Sequence, residues 1–195
     1  MKIRIVILIA FSMFLFVAAQ AQNSSLKSGP EVGKDCPAFD PRHVTGPDKG
    51  KKCCPMCMYG YQQGVLVWLN TDDFNSIAPM LTKLEAEIDK KGLKRIRVFV
   101  MYMNPERKSS AEVEKMLGTF AANHKLKKVA LTYIPDPTDP ETAGLYNINP
   151  SREVKNTVIV YRARSTFDKY INFESSESSI QALIQSVEKA ERTKS

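Results

Sequence analysis

Three of the four cysteines lie in one short stretch, Lys51-Lys52-Cys53-Cys54-Pro55-Met56-Cys57-Met58-Tyr59-Gly60. Cys54 and Cys57 have the two-residue spacing that lets two thiols close a tight disulfide-bonded turn, and such a pair can exchange with other thiols. The thiolate is the reactive form, and the charges of Lys51 and Lys52 favour it. In an exchange reaction Cys54, the N-terminal member, is expected to attack and Cys57 to resolve.

Two other chemistries compete for the same residues. Cysteines of an oxidised protein are commonly plain structural disulfides. Four cysteines allow three pairings, and spacing does not choose among them. Cys54–Cys57 with Cys36–Cys53 is the preferred set, because a bond between the adjacent Cys53 and Cys54 is strained. The third chemistry is metal binding: Cys54, Cys57 and Met56 are soft ligands of the kind Cu(I) selects, and His43 joins them if its loop folds back. Methionines beside a cysteine are, however, more often packing residues. A single CxxC without a second pair does not make a zinc ribbon.

Which chemistry is available depends on compartment. Lys2 and Arg4 precede an apolar run, Ile5 to Val17, followed by Ala18-Ala19-Gln20-Ala21. A basic start, short apolar core and small-residue site together read as a secretory signal peptide cleaved after Ala21. The run is shorter than the roughly 20 residues that a spanning helix needs, so no stable membrane span is expected after cleavage. Export to the periplasm or the exterior is the expectation, and disulfides persist there. Removal of residues 1–21 leaves 174 residues and lowers the net charge from +7 to +5. The charge is dispersed, with no aromatic-studded basic stripe, so nucleic acid is not an expected partner.

The elements that would position the cysteines follow from periodicity. Residues 22–30 form a polar tether, and Gly33 to Gly50, rich in Pro, Gly and Asp, reads as an irregular arm laid on the domain. Val65 to Leu69 is a continuous apolar run, as expected of a strand covered on both faces. Thr71 or Asp72 can cap a following helix that places Phe74, Ile77, Leu81, Leu84 and Ile88 on one face, although Pro79 can delay its start. Ile96 to Met103 is a second strand. Ser109 and Glu112 form a capping-box pattern for a second helix. Val129 to Ile134 is a third strand, Glu141 to Tyr146 a short helical segment, and Asn156–Tyr161 with Thr166–Phe173 a hairpin. Ser175 or Ser176 opens a last helix. Trp68 is expected in the core, His124 at a helix end, and Asp72 and Asp73 as helix-start charge.

This order resembles the thioredoxin-like superfamily, particularly its peroxiredoxin-like, or redoxin, branch. Glu31 to Asp40 resembles the redoxin opening arm, "VLVWLN" and "RIRVFVMYMN" its first two core strands, and "NTVIVYRARSTFDKYINF" its terminal hairpin. The resemblance spans Glu31 to Ala190. It implies an α/β fold, a three-layer α/β/α sandwich around a central mixed β-sheet, with residues 31–195 as one domain. It also implies thiol–disulfide exchange with a partner redox protein and no cofactor. The sequence departs from the family at the decisive place. Redoxins carry the reactive cysteine after the first core strand, where this chain reads Asn70-Thr71-Asp72-Asp73-Phe74, so peroxidase activity does not carry over. The CxxC is displaced to before that strand, at its opposite end unless residues 51–63 fold back.

Overall fold

The computed structural model describes residues 26–193, so the expected signal peptide and the start of the tether lie outside the described residues. In chain order the elements are strand β1 (Arg42–His43), helix α1 (Pro55–Tyr59), β2 (Gln63–Leu69), α2 (Ala78–Lys91), β3 (Ile96–Tyr102), α3 (Ser110–Asn123), β4 (Ala130–Tyr133), β5 (Asn156–Arg162), β6 (Ser165–Ile171) and α4 (Glu177–Arg192). The six strands form one sheet in the order β1-β4-β3-β2-β5-β6.

The apolar run of β2 sits where its composition requires. All seven of its residues are buried, and β3 flanks it in parallel while β5 flanks it antiparallel. Alternation then sorts the side chains between two layers. Val65, Val67 and Leu69 join Ile96, Val98 and Val100 under the helices, whereas Leu66 and Trp68 join Phe99 and Met101 on the other face. Gly64 opens β2 without a side chain because the strands close in there. A Cβ would lie 2.4 Å from the Arg97 carbonyl oxygen and 2.5 Å from the Tyr161 hydroxyl.

Connection handedness fixes the layers. The steps β2–α2–β3 and β3–α3–β4 cross the sheet in the same direction, so right-handed crossovers put both helices on one face. The connection from β4 to β5, a strand that runs antiparallel to β4, covers the opposite face, that of Leu66 and Trp68. There it forms a wide helical turn, Pro140–Gly144, and buries Ala143, Tyr146 and Ile148 beside Trp68. Helix α4 packs back on β5 and β2 beside the other long helices. The result is an α/β fold with a mixed sheet between two covering layers, one of long helices and one of arm, α1 and turn.

Two local expectations change. A 3₁₀ turn, Phe74–Ser76, precedes α2, which starts at Ala78 with Pro79 in its first turn. Proline lacks the N–H that an interior helical position would need, so it sits where that donor is superfluous. Thr71 and Asp72 therefore do not cap this helix. The arm is also less irregular than its composition suggests: Arg42 and His43 pair antiparallel with Tyr133 and Thr132, extending the sheet past β4. By contrast, the Ser109–Glu112 capping box forms in both directions.

Candidate active site

The Cys54-Pro55 dipeptide builds the local structure of the cysteine pair. A residue before proline is pushed to extended backbone, and Cys54 has φ −83° and ψ 111°. That conformation suits the residue preceding a helix, and Pro55 opens α1 without wasting a donor. One turn later the Cys57 N–H donates to the Cys54 sulfur at 2.9 Å. The two Cα atoms are 5.2 Å apart and the sulfurs are bonded.

Accessibility divides the pair. Cys54 is only 8% exposed, in the apolar layer with Phe39, Phe99 and the fully buried Met56, whereas Cys57 is exposed. Met58 and Tyr61, 49% and 76% exposed, follow Cys57 and present apolar surface in the same segment. This is the reverse of the order expected from position in the motif, in which Cys54 attacks. In this bonded form Cys57, not Cys54, lies at the surface.

The turn is held at the end of the sheet where β2 and β3 begin. Arg164, in the β5–β6 turn, donates from Nε to the Met56 carbonyl at 3.1 Å, and its N–H donates to the Gly60 carbonyl at 2.7 Å. The Arg97 guanidinium, near the start of β3, lies 3.9 Å from the centre of the Tyr59 ring. Tyr59 in turn stacks on Phe99. The segment thus runs across the sheet face, from Lys52 bridged to Arg42 of β1 to Met56 and Gly60 beside the β5–β6 turn.

At the end of the sheet where β2 finishes, side chains tie the loops together. The Asp72 carboxylate accepts from the Tyr102 hydroxyl at 2.5 Å and pairs with Lys108. Burial pushes its pKa up, but the Lys108 and Tyr102 hydrogen bonds outweigh this and hold it below the usual value. Asp72 thus ties the loop after β2 to β3 and to the approach of α3 rather than serving as helix-start charge. Asn70 bonds three carbonyls of the segment leading to β5.

Beside the CxxC the structure gathers a group that the motif did not reveal. His43, Asp48 and Cys53 bring one ligand atom each within 4.8 Å of one another. Asp48 accepts from the Tyr59 hydroxyl at 2.8 Å and from Lys51 at 3.2 Å. Lys51 thus serves this carboxylate, and burial, which raises the Asp48 pKa, is outweighed by these two donors. The Cys53 thiol is pushed up by burial and by Asp48, against the opposing charge of Lys51. His43 Nε2 lies 3.1 Å from the Cys53 carbonyl, which can only accept, so Nε2 carries the proton. Asp48, Tyr59, Arg97 and Arg164 all escaped the sequence reading, because their roles depend on segments distant in the chain.

The state of His43 has a pH consequence. Burial depresses its pKa below 6.5, despite the opposing influence of the Cys53 carbonyl and Asp48. Above pH 6.5 the imidazole is neutral in both folded and unfolded chains, and its contribution to stability is fully present. As pH falls through the depressed folded value, the unfolded chain has already gained a proton that the folded chain resists, and stability is lost. The thermal midpoint is expected to fall on acidification below pH 6.5, with a shallower fall in His43→Gln. An equal slope in the variant would remove His43 as the source.

The remaining expectations are corrected by position. Cys36 and Cys53 are free thiols, not a disulfide. Cys36 is 2% exposed, its sulfur 3.6 Å from the Thr166 hydroxyl and its N–H bound to the Arg164 carbonyl. Burial pushes its pKa up to about 11, with a small offset from Thr166. The arm is thus pinned through β6, while Cys53 faces His43 and Asp48. Of the soft-metal set of Cys54, Cys57, Met56 and His43, the two cysteines are bonded to each other, Met56 is packed in the core, and His43 groups with Cys53 and Asp48. His124 ends α3 against Phe120, as expected of a helix-end residue.

No family model matches the chain, and no curated protein matches it. Solved structures do. A protein described as the thiol:disulfide interchange protein DsbE, from Chlorobium tepidum, aligns with TM-score 0.57 at 14% identity, over 83% of this chain and 98% of that one. A peroxiredoxin-like protein from Aquifex aeolicus aligns with TM-score 0.58 at 12% identity, over 84% and 90% of the two chains. BsSco, a member of the Sco family of cytochrome c oxidase assembly proteins, aligns with TM-score 0.60 at 15% identity, over 85% and 98%. Identities this low speak for architecture. By its sheet order, its layers and these structural neighbours, the chain has a thioredoxin-like fold, with its cysteine pair placed before the first core strand.

Proposed function

We propose that this chain is an exported thiol–disulfide exchange protein that works through Cys54 and Cys57, with Cys57 as the sulfur that meets the partner. The observation carrying this reading is the asymmetry of the pair: a bonded Cys54–Cys57 turn with Cys57 exposed and Cys54 buried. A partner thiolate attacks the Cys57 sulfur, forms a mixed disulfide and expels Cys54 as thiolate. The Cys57 N–H, 2.9 Å from the Cys54 sulfur, is placed to stabilise that anion. A second partner thiol then attacks the partner's own sulfur and releases Cys57. Two electrons pass from the partner dithiol to this pair, each attacking thiol gives up a proton, and each expelled thiolate takes one up. The reverse sequence oxidises a partner. Exposed Met58 and Tyr61 offer an apolar landing surface beside Cys57. Interchange and disulfide-switch chemistry in the names of the structural neighbours supports the same class. Peroxidase chemistry is left out, because Asn70-Thr71-Asp72-Asp73 occupies the place of the peroxidatic cysteine.

The test is a trapping experiment in which the partner, a small dithiol protein, is supplied in its oxidised, disulfide form, so that a lone thiol of this chain can attack it. Cys54→Ser should accumulate a mixed disulfide through Cys57, and Cys57→Ser should accumulate none. The opposite pattern would return the attacking role to Cys54. A second reading, a structural clasp, is favoured by the burial of Cys54 and by the Arg164 bond to the Met56 carbonyl. A clasp would have a reduction potential below about −300 mV and resist glutathione, whereas an exchanging pair lies above it. Export is tested by the N-terminus of the protein recovered outside the cytoplasm, expected at Gln22.

A further inference from the structure

Cys53 is not a member of the exchanging pair, and its surroundings follow a different logic. It shares with His43 and Asp48 a cluster whose three ligand atoms lie within 4.8 Å of one another. Ligand atoms around a tetrahedral zinc-sized ion sit roughly 3–4 Å apart, given metal–ligand bonds of about 2.0–2.3 Å. A contraction of about 1 Å or less would close the set, and two of its members lie in the loop between β1 and α1.

Each member is held in a form that suits a cation. His43 is 2% exposed; Nε2 meets the Cys53 carbonyl, Nδ1 has no hydrogen-bond partner among the described residues, and one of the two ring nitrogens lies within 4.8 Å of the Asp48 and Cys53 ligand atoms. A buried acceptor without a partner is costly, so it calls for an explanation. Asp48 is 5% exposed, and the Tyr59 hydroxyl fixes one of its oxygens at 2.8 Å. That is the role of an outer partner that orients a ligating carboxylate. The other oxygen holds Lys51, whose side chain is 63% exposed and can swing into solvent when a stronger cation arrives. Cys53, partly exposed, can deliver its proton to solvent and bind as thiolate.

We infer that His43, Asp48 and Cys53 form a binding site for one divalent cation of the zinc class, with the fourth position open to water. Imidazole nitrogen, carboxylate oxygen and thiolate sulfur together match the borderline character of zinc better than the thioether-rich set that copper(I) prefers. A carboxylate and a thiolate also balance the charge of the ion. The site is independent of Cys54–Cys57, since it uses neither sulfur of that bond.

Cobalt(II) is the probe, because a thiolate ligand gives it a charge-transfer band. The full chain with its Cys54–Cys57 bond oxidised should bind one cobalt(II) with such a band, and zinc(II) should displace it. Cys53→Ser should lose the band, and Asp48→Asn should weaken binding by at least about 10-fold. No band in the wild type, or an unchanged band in Cys53→Ser, would overturn the site. A band that requires reduction and disappears in Cys57→Ser would place the metal on the CxxC instead and would equally overturn it. A measurement without mutation guards against misfolded variants: zinc(II) should protect Cys53 of the wild type from alkylation, read by mass spectrometry. Absence of protection counts against the proposal.

Discussion

Glu85→Ala should lower folding stability by about 2–4 kcal/mol, as measured by urea denaturation with an unchanged slope. Glu85 is an acidic residue on the buried face of α2, only 8% exposed, and it has no cationic side-chain partner within bonding distance among the described residues. Its carboxylate instead receives the backbone: Lys127 and Lys128 donate to Oε1 at 3.0 and 2.9 Å, and Lys128 and Val129 donate to Oε2 at 3.1 and 2.8 Å. These are the amides of the chain as it turns into β4. Removing the carboxylate strands the buried Val129 amide and leaves those of Lys127 and Lys128 to partial solvation, and each buried unsatisfied donor costs about 1–3 kcal/mol. Glu85→Gln should fall between wild type and alanine, because its amide oxygen still accepts while its NH₂ faces an N–H. A loss in the alanine variant of under about 0.5 kcal/mol, the size typical of surface substitutions, would show that the loop holds itself.

Asn70→Asp should be at least as damaging at neutral pH, by about 3 kcal/mol or more, although it changes a single atom. The Asn70 side-chain NH₂ lies 3.1, 3.0 and 3.2 Å from the carbonyl oxygens of Pro150, Ser151 and Val154, and the residue is 6% exposed. Aspartate offers a negative oxygen to those three acceptors. Its folded-state pKa would be raised above the unfolded value, because only the protonated acid can donate there. The penalty is therefore absent below the unfolded pKa and grows as pH rises through the folded one. The stability gap between wild type and variant should be narrower near pH 4 than at pH 7, about the range that a raised carboxyl spans. Asn70→Ala should show a smaller loss with no such pH dependence. A gap for Asn70→Asp that stays constant with pH would mean that the carboxylate has turned out to solvent.

These two residues show why some features were legible in the chain and others were not. The strands and long helices were readable because burial writes a period: Val65 to Leu69 can only be a strand covered on both faces, and Ser109 with Glu112 announces a helix start within four residues. The CxxC motif was readable because it is local, but its pairing was not: that Cys54 bonds Cys57 while Cys36 and Cys53 stay free is seen only in the fold. Glu85 and Asn70 were not readable either. Their partners are backbone atoms 42 to 84 residues away, and a backbone amide has no signature in sequence.

The sequence by itself determined the alternation of strands and helices, the displaced cysteine pair and the empty cysteine position after the first core strand, all of which follow from local spacing. Tertiary structure alone decided which sulfur faces outward, that Cys36 and Cys53 stay apart, and that His43 meets Asp48 and Cys53. Each depends on how the arm from residue 26 to residue 60 lies across one face of the sheet. That path is set by contacts such as Arg164 with the Met56 carbonyl and Arg97 over Tyr59, made between segments that only the folded sheet brings together.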